Sequence, residues 1–271
     1  MDYYTIADNV ANGVMDVCGS AAEIVAAFRS LKKAGATLKG KFLFKPTDRA
    51  AGLNIRKTNL GSGEAMKRLF KPFTSEVREP LTFPLYDESR KAVVATDGKT
   101  MLFCDIPKEL TADEAKKENR FTTDYCWYPN WTTPIGAVER KNTPAALADF
   151  DFVGEFEKGS AVHNVIAIAS ACSRAYRHDD KKGIWHNFYV WIGENQYDPV
   201  SICEMVNALF RLGCGKVGFY YPKFGYGYSA MHIVGFGDGL NARGLVMPMR
   251  FPSTAHGAVE LRFGKEAAMA A

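Results

Sequence analysis

Four stretches of this chain carry apolar residues at helical spacing, and each is followed by runs that alternate apolar and polar residues as half-buried strands do. That order constrains the fold more than any other feature. A parallel doubly wound sheet needs strict strand–helix alternation, and a sandwich needs strands alone. Helix followed by several strands, repeated, predicts an α+β protein in which paired helices pack on one face of antiparallel sheet, with the arrangement used twice.

The first helix begins at Ser20, where Glu23 completes a capping box. It carries Ile24, Val25, Phe28 and Leu31 on one face and stops at Gly35. Leu38 to Lys45 and Gly52 to Lys57 read as strands behind it. The second helix, Gly63 to Lys71, is ended by Pro72. Strands are expected at Leu81–Tyr86, Lys91–Thr96 and Thr100–Asp105, the last two joined through an Asp97-Gly98 hairpin. The third helix, Ala161 to His178, presents Val165, Ile166, Ile168, Cys172 and Tyr176, and the aromatic run Ile184–Ile192 follows as a strand. The fourth has Asp198 as cap and Pro199 in its first turn, then Val200, Cys203, Val206, Leu209 and Phe210 before Gly213. Strands at Lys216–Tyr221, Ser229–Val234, Arg243–Met249 and Ala258–Phe263 complete the pattern.

Between the halves, Pro107 to Gly159 shows little periodicity; Ala112–Asn119 is charged, and Tyr128, Pro129, Pro134 and Pro144 turn the chain. The expected organisation is a first domain at 1–130, a linker at 131–160, and a second domain at 161–271 with a C-terminal extension. With 271 residues, 47% hydrophobic and 24% charged, the chain is long enough for a full core and is neither a disordered tail nor a fibrous repeat. No apolar run approaches the ~20 residues of a membrane span. Asp2 and Asp8 stand where a basic leader region would be, and none of the six cysteines forms a CxxC pair, so a reduced, cytoplasmic setting is expected.

Net charge is only +4, so its distribution matters more than its size. The four helical stretches hold nine basic residues (Arg29, Lys32, Lys33, Lys67, Arg68, Lys71, Arg174, Arg177 and Arg211) against the three acids Glu23, Glu64 and Glu204. Lys181 and Lys182 lie just beyond a helix end. Basic helices on a neutral-to-acidic body suit a phosphate backbone bound without base reading. Cations near helix C-termini also suit the helix dipole with no ligand at all.

Two motifs bring a family into view. Ala95-Thr96-Asp97-Gly98-Lys99-Thr100-Met101 resembles the Ala-Thr-Asp-Gly-His-Arg-Leu hairpin of the bacterial DNA polymerase III β subunit, the sliding clamp. Val246-Met247-Pro248-Met249-Arg250-Phe251 resembles that clamp's terminal Val-Met-Pro-Met-Arg-Leu. Val206-Asn207-Ala208-Leu209, Met231-His232-Ile233 and Tyr128-Pro129-Asn130-Trp131 are similar to other clamp segments. The resemblance implies a processivity fold whose basic helices hold duplex DNA loosely enough to slide. It also implies an outer hydrophobic groove that captures polymerase or clamp-loader peptides. Carried onto matching positions, Thr96, Lys99, Thr100 and Met101 form one side of that groove, and Leu245, Met247, Pro248, Met249 and Arg250 the other. Methionines give such a groove an adaptable apolar lining. A two-domain chain needs three copies to supply six domains, so a homotrimeric ring is implied. Lys99-Thr100 stands where the family has His-Arg, and twenty residues, Pro252 to Ala271, follow the terminal motif. The alternative is a non-ring protein-interaction module that keeps the clamp fold without encircling DNA.

No catalytic centre, metal site or cofactor is expected. The five histidines form no HExxH, and His178-Asp179-Asp180 with His186 reads as a solvated turn. Cys172 reads as a small core hydrophobe. Gly225, Gly227, Gly235, Gly237 and Gly239 make no dinucleotide fingerprint. Tyr220, Tyr221, Phe224, Tyr226 and Tyr228 read as strand and loop packing rather than base-stacking platforms.

Overall fold

The computed structural model describes residues 14–35, 40–48, 55–123, 128, 150–176, 178–180, 183–185, 188–192, 195–222, 230–237, 240–249, 257–261 and 263. In chain order they form β1 (Val14–Gly19), α1 (Ala21–Lys33), β2 (Gly40–Pro46), α2 (Gly63–Phe70), β3 (Leu85–Asp87), β4 (Ala92–Thr96), β5 (Thr100–Asp105) and α3 (Ala112–Lys116). There follow β6 (Phe150–Glu157), α4 (Ala161–Tyr176), β7 (His178–Asp180), β8 (Gly183–Trp185), β9 (Phe188–Ile192) and β10 (Asn195–Tyr197). The chain closes with α5 (Pro199–Arg211), β11 (Lys216–Pro222), β12 (Met231–Phe236), β13 (Ala242–Val246) and β14 (Gly257–Glu260). The class is α+β.

Two compact units emerge, and they interleave along the sequence. The first comprises Met1–Leu53, Phe156–Cys203 and Pro248–Ala271; the second comprises Asn54–Glu155 and Glu204–Met247. The consecutive stretches 1–130 and 161–271 therefore each contribute to both units. Strand pairing is the reason: β5 lies beside β13, and β14 lies between β2 and β9, so each sheet is assembled from both ends of the chain. The weakly periodic stretch Pro107–Gly159 holds α3, and β6 as well, the latter an edge strand of the larger sheet. Residues 131–149 lie outside the described residues.

The first unit is built on a five-stranded sheet, order β1-β2-β14-β9-β10. β1–β2, β2–β14 and β14–β9 are parallel, and only β9–β10 is antiparallel. The expectation of antiparallel sheet is corrected here. Parallel neighbours need a crossover, and α1 supplies it between β1 and β2. The capping box at its start is formed: Glu23 N–H donates to Ser20 Oγ at 3.3 Å, and Ser20 N–H to Glu23 Oε2 at 2.8 Å. Asp48 accepts the next amide, that of Ala21, at 3.0 Å. Phe28 drives its ring edge-on into Phe42, Phe44 and Phe188, with centroids 5.6, 5.6 and 5.2 Å away. Such edge-to-face contacts add specificity to apolar burial. α4 packs beside α1 and onto β2 and β9. On the other sheet face, Lys41 lies 4.4 Å over the Trp191 ring and 3.8 Å from Glu260.

The second unit is a seven-stranded sheet, order β3-β4-β5-β13-β12-β11-β6, antiparallel from β3 through β11. One face buries Leu85, Ala92, Val94, Met101, Phe103 and Leu245 with Leu81 and Tyr128. The other face meets α5. Glycine is required at Gly244, where a Cβ would overlap the Met205 thioether, and at Gly235, where it would strike Cys214 Sγ. Several expected strands are shorter than the sequence suggests. Leu81–Pro84 forms turns before β3, Ile55–Lys57 lies outside any strand, and β13 ends at Val246. Residues 52–54 fall outside the described set.

Candidate functional site

The β4–β5 hairpin is locked by two polar side chains. Asp97 Oδ1 accepts from the Lys99 amide at 2.8 Å, the Thr100 amide at 2.7 Å and the Thr100 hydroxyl at 3.0 Å. The Thr96 hydroxyl donates to the Thr100 carbonyl at 2.7 Å and accepts from Gly98 N–H at 3.1 Å. Gly98 has φ +88°, a conformation that other residues adopt only under strain. The Arg78 guanidinium lies against its Cα, with Nη1 2.8 Å from where a Cβ would sit.

β13 then brings the second motif alongside. Leu245 is opposite Met101, Val246 opposite Thr100, and the Met247 amide donates to the Lys99 carbonyl at 2.9 Å. Thr96, Lys99, Thr100, Met101, Leu245 and Met247 are thus gathered around one hairpin in the second unit. Pro248 and Met249 belong to the first unit, where the Met249 amide donates to Gln196 O at 2.8 Å. Arg250 lies outside the described residues.

Burial sorts these side chains. Met101 and Leu245 are part of the apolar core, and Thr96 and Thr100 are buried as well. Lys99 is exposed, and Met247 is 41% exposed. The Tyr128 hydroxyl donates to Val94 O at 3.3 Å, and burial pushes its pKa up. The junction accordingly presents a cation and a thioether above a filled core.

The basic side chains divide between the units. In the first, Arg29 and Lys33 are exposed on α1 with Ala22 and Ala26, and Lys32 is half-buried. On neighbouring α4, Arg174 is exposed, and Ala167 and Ala171, at helical spacing from it, are half-buried. The Glu23 carboxyl is held below its usual range by the Ser20 amide and hydroxyl. In the second unit, Lys67 Nζ sits 5.4 Å over Phe83, and Arg68 pairs with Glu64 at 2.9 Å. Lys71 and Arg211 are exposed at the ends of α2 and α5. Arg177, Lys181 and Lys182 lie outside the described residues.

Three buried thiols are poorly placed to act as nucleophiles. Burial pushes the thiols of Cys104, Cys172 and Cys214 up, Cys214 to about 11, which leaves little thiolate at neutral pH. His163 Nδ1 accepts from the Gly159 amide at 2.9 Å, a cap for the start of α4. Among the described residues no three His, Cys, Asp or Glu are grouped to hold a metal ion. His178–Asp180 forms β7, paired with β8, instead of the expected open turn. One polar cluster gave no sequence signal. His232 and Arg243 are buried on the larger sheet, with Phe150 4.6 Å from the imidazole and 5.9 Å from the guanidinium. Burial and then Arg243 push His232 down to about 3, and burial pulls Arg243 down to about 10.

No protein-family model, curated protein or solved structure matches this chain. Among the described residues, no helix is long and apolar enough to cross a membrane.

Proposed function

We propose that this protein is a sliding-clamp-like replication accessory factor of the cytoplasm, with a processivity fold. It would hold duplex DNA through basic helices and tether polymerase or loader peptides at an outer surface. The observation that carries the reading is the junction at Lys99 and Met247. Two motifs far apart in sequence, each similar to a clamp motif, meet through the β5–β13 register and one backbone bond. Paired α1 and α4, with small side chains interrupted by Arg29, Lys33 and Arg174, support the DNA-facing role. Alanines leave a smooth surface, and sparse cations attract phosphates without fixing a register.

The deciding experiment is absolute mass in solution combined with retention on circular against linear duplex. A stable trimer that stays on circular DNA and runs off linear DNA supports the ring. A persistent monomer with no DNA affinity at low salt rejects it and favours the second reading, a protein-interaction module without encirclement. That reading draws on the burial of Met101 and Leu245 and on the pairing of Arg68 with Glu64, which narrow the open groove and the cationic surface.

A further inference from the structure

We propose that Met247 is a reversible oxidation site, at which a hydroperoxide converts the thioether to a sulfoxide and turns the patch beside the Lys99 hairpin from apolar to polar. Exposure separates this methionine from the others among the described residues. Met247 is 41% exposed, while Met66, Met205 and Met231 are 0% and Met101 is 7%. Met15 and Met249 are half-buried. The cause is local: every residue of β13 is buried, and Met247 is the position at which the chain emerges. Its amide remains bonded to the Lys99 carbonyl at 2.9 Å, so the residue stays anchored at the hairpin.

In the reaction, the sulfur lone pair attacks the terminal oxygen of the hydroperoxide. An S–O bond forms as the O–O bond breaks, and the proton of the attacked hydroxyl passes to the departing oxygen, which leaves as water or an alcohol. Sulfur loses two electrons and the peroxide gains them. The product is polar and chiral, and a sulfoxide reductase reverses it. The effect on partners rests on the proposed peptide surface, where an apolar contact would be replaced by a strong acceptor.

Graded hydrogen peroxide applied to the full chain, followed by proteolysis and mass spectrometry, tests the site directly. Oxygen is expected at Met247 roughly tenfold faster than at Met66, Met101, Met205 or Met231, and ahead of Met15 and Met249. Equal rates across this set overturn the proposal. A fluorescent decapeptide rich in Leu and Phe reads the consequence. Its binding is expected to fall roughly tenfold on oxidation of the native chain, whereas peroxide is expected to cause no such fall from the Met247→Leu variant's own untreated affinity. Unchanged binding to the sulfoxide form overturns the switch. If the unoxidised chain binds no such peptide, the groove reading fails, and the oxidation map still decides the site.

Discussion

Arg120 donates from Nη1 to Glu114 Oε2 at 2.7 Å, with its side chain only 11% exposed. The same guanidinium reaches Glu64 at 3.7 Å and Glu118 at 3.5 Å, so it joins α2, α3 and the turn after α3. Arg68 also pairs with Glu64, at 2.9 Å, but its side chain is 79% exposed.

Those two arginines give contrasting expectations. Arg120→Ala leaves three carboxylates without their shared cation and should destabilise the protein by about 1–3 kcal/mol. Arg68→Ala removes a solvated pair worth about 0.3–0.5 kcal/mol. Urea denaturation monitored by tryptophan fluorescence measures both, and equal losses would contradict the network.

The hairpin offers a second test. Asp97→Ala removes three accepted hydrogen bonds, and Gly98→Val adds a branched side chain at φ +88° against Arg78. Each should lower stability by about 1–3 kcal/mol. A milder Asp97→Asn retains an acceptor oxygen and should lose less. Thermal midpoints ranked native, Asn, then Ala are the expected order.

This turn was legible in the sequence because its determinants are local: an aspartate that bonds amides ahead of it, followed by glycine. The helix caps at Ser20 and Asp198 were legible for the same reason; Asp198 accepts from Val200 N–H at 3.1 Å. β1 was not, because Val14–Gly19 is short and gains meaning only beside β2 across the α1 crossover. β6 was missed as well: Phe150, Phe152 and Phe156 alternate, yet they lie in a stretch dominated by turn residues. The interleaving of the units depends on β5 finding β13 and β2 finding β14, pairings that no local window encodes. The candidate site divides likewise. Its motifs were visible, whereas the burial of Met101 and Leu245 and of His232 and Arg243 is decided by sheet register.

The His232 cluster makes stability depend on pH. Unfolded, the imidazole takes its proton near 6.5; folded, burial and Arg243 delay that to about 3. Between those values the unfolded chain binds more protons, so this contribution is fully present above pH 6.5 and is lost as pH falls toward 3. The slope is about 1.4 kcal/mol per pH unit inside the window. His232→Phe should flatten the denaturation midpoint against pH there, and an unchanged slope would assign the acid sensitivity to other groups.

DNA binding supplies the sharpest test of the helix surface. Arg29 and Arg174 are exposed on the packed pair α1 and α4, whereas Arg68 lies on α2 in the second unit. If phosphates lie along the pair, Arg29→Glu and Arg174→Glu should each weaken duplex binding regardless of sequence. Each should also reduce the slope of log affinity against log salt by about 0.9. Arg68→Glu, the same change of charge on α2, should change neither. Fluorescence anisotropy on a labelled duplex across a salt series reads both quantities. Equal losses at all three positions would mean that net charge, and not the α1–α4 surface, attracts the DNA.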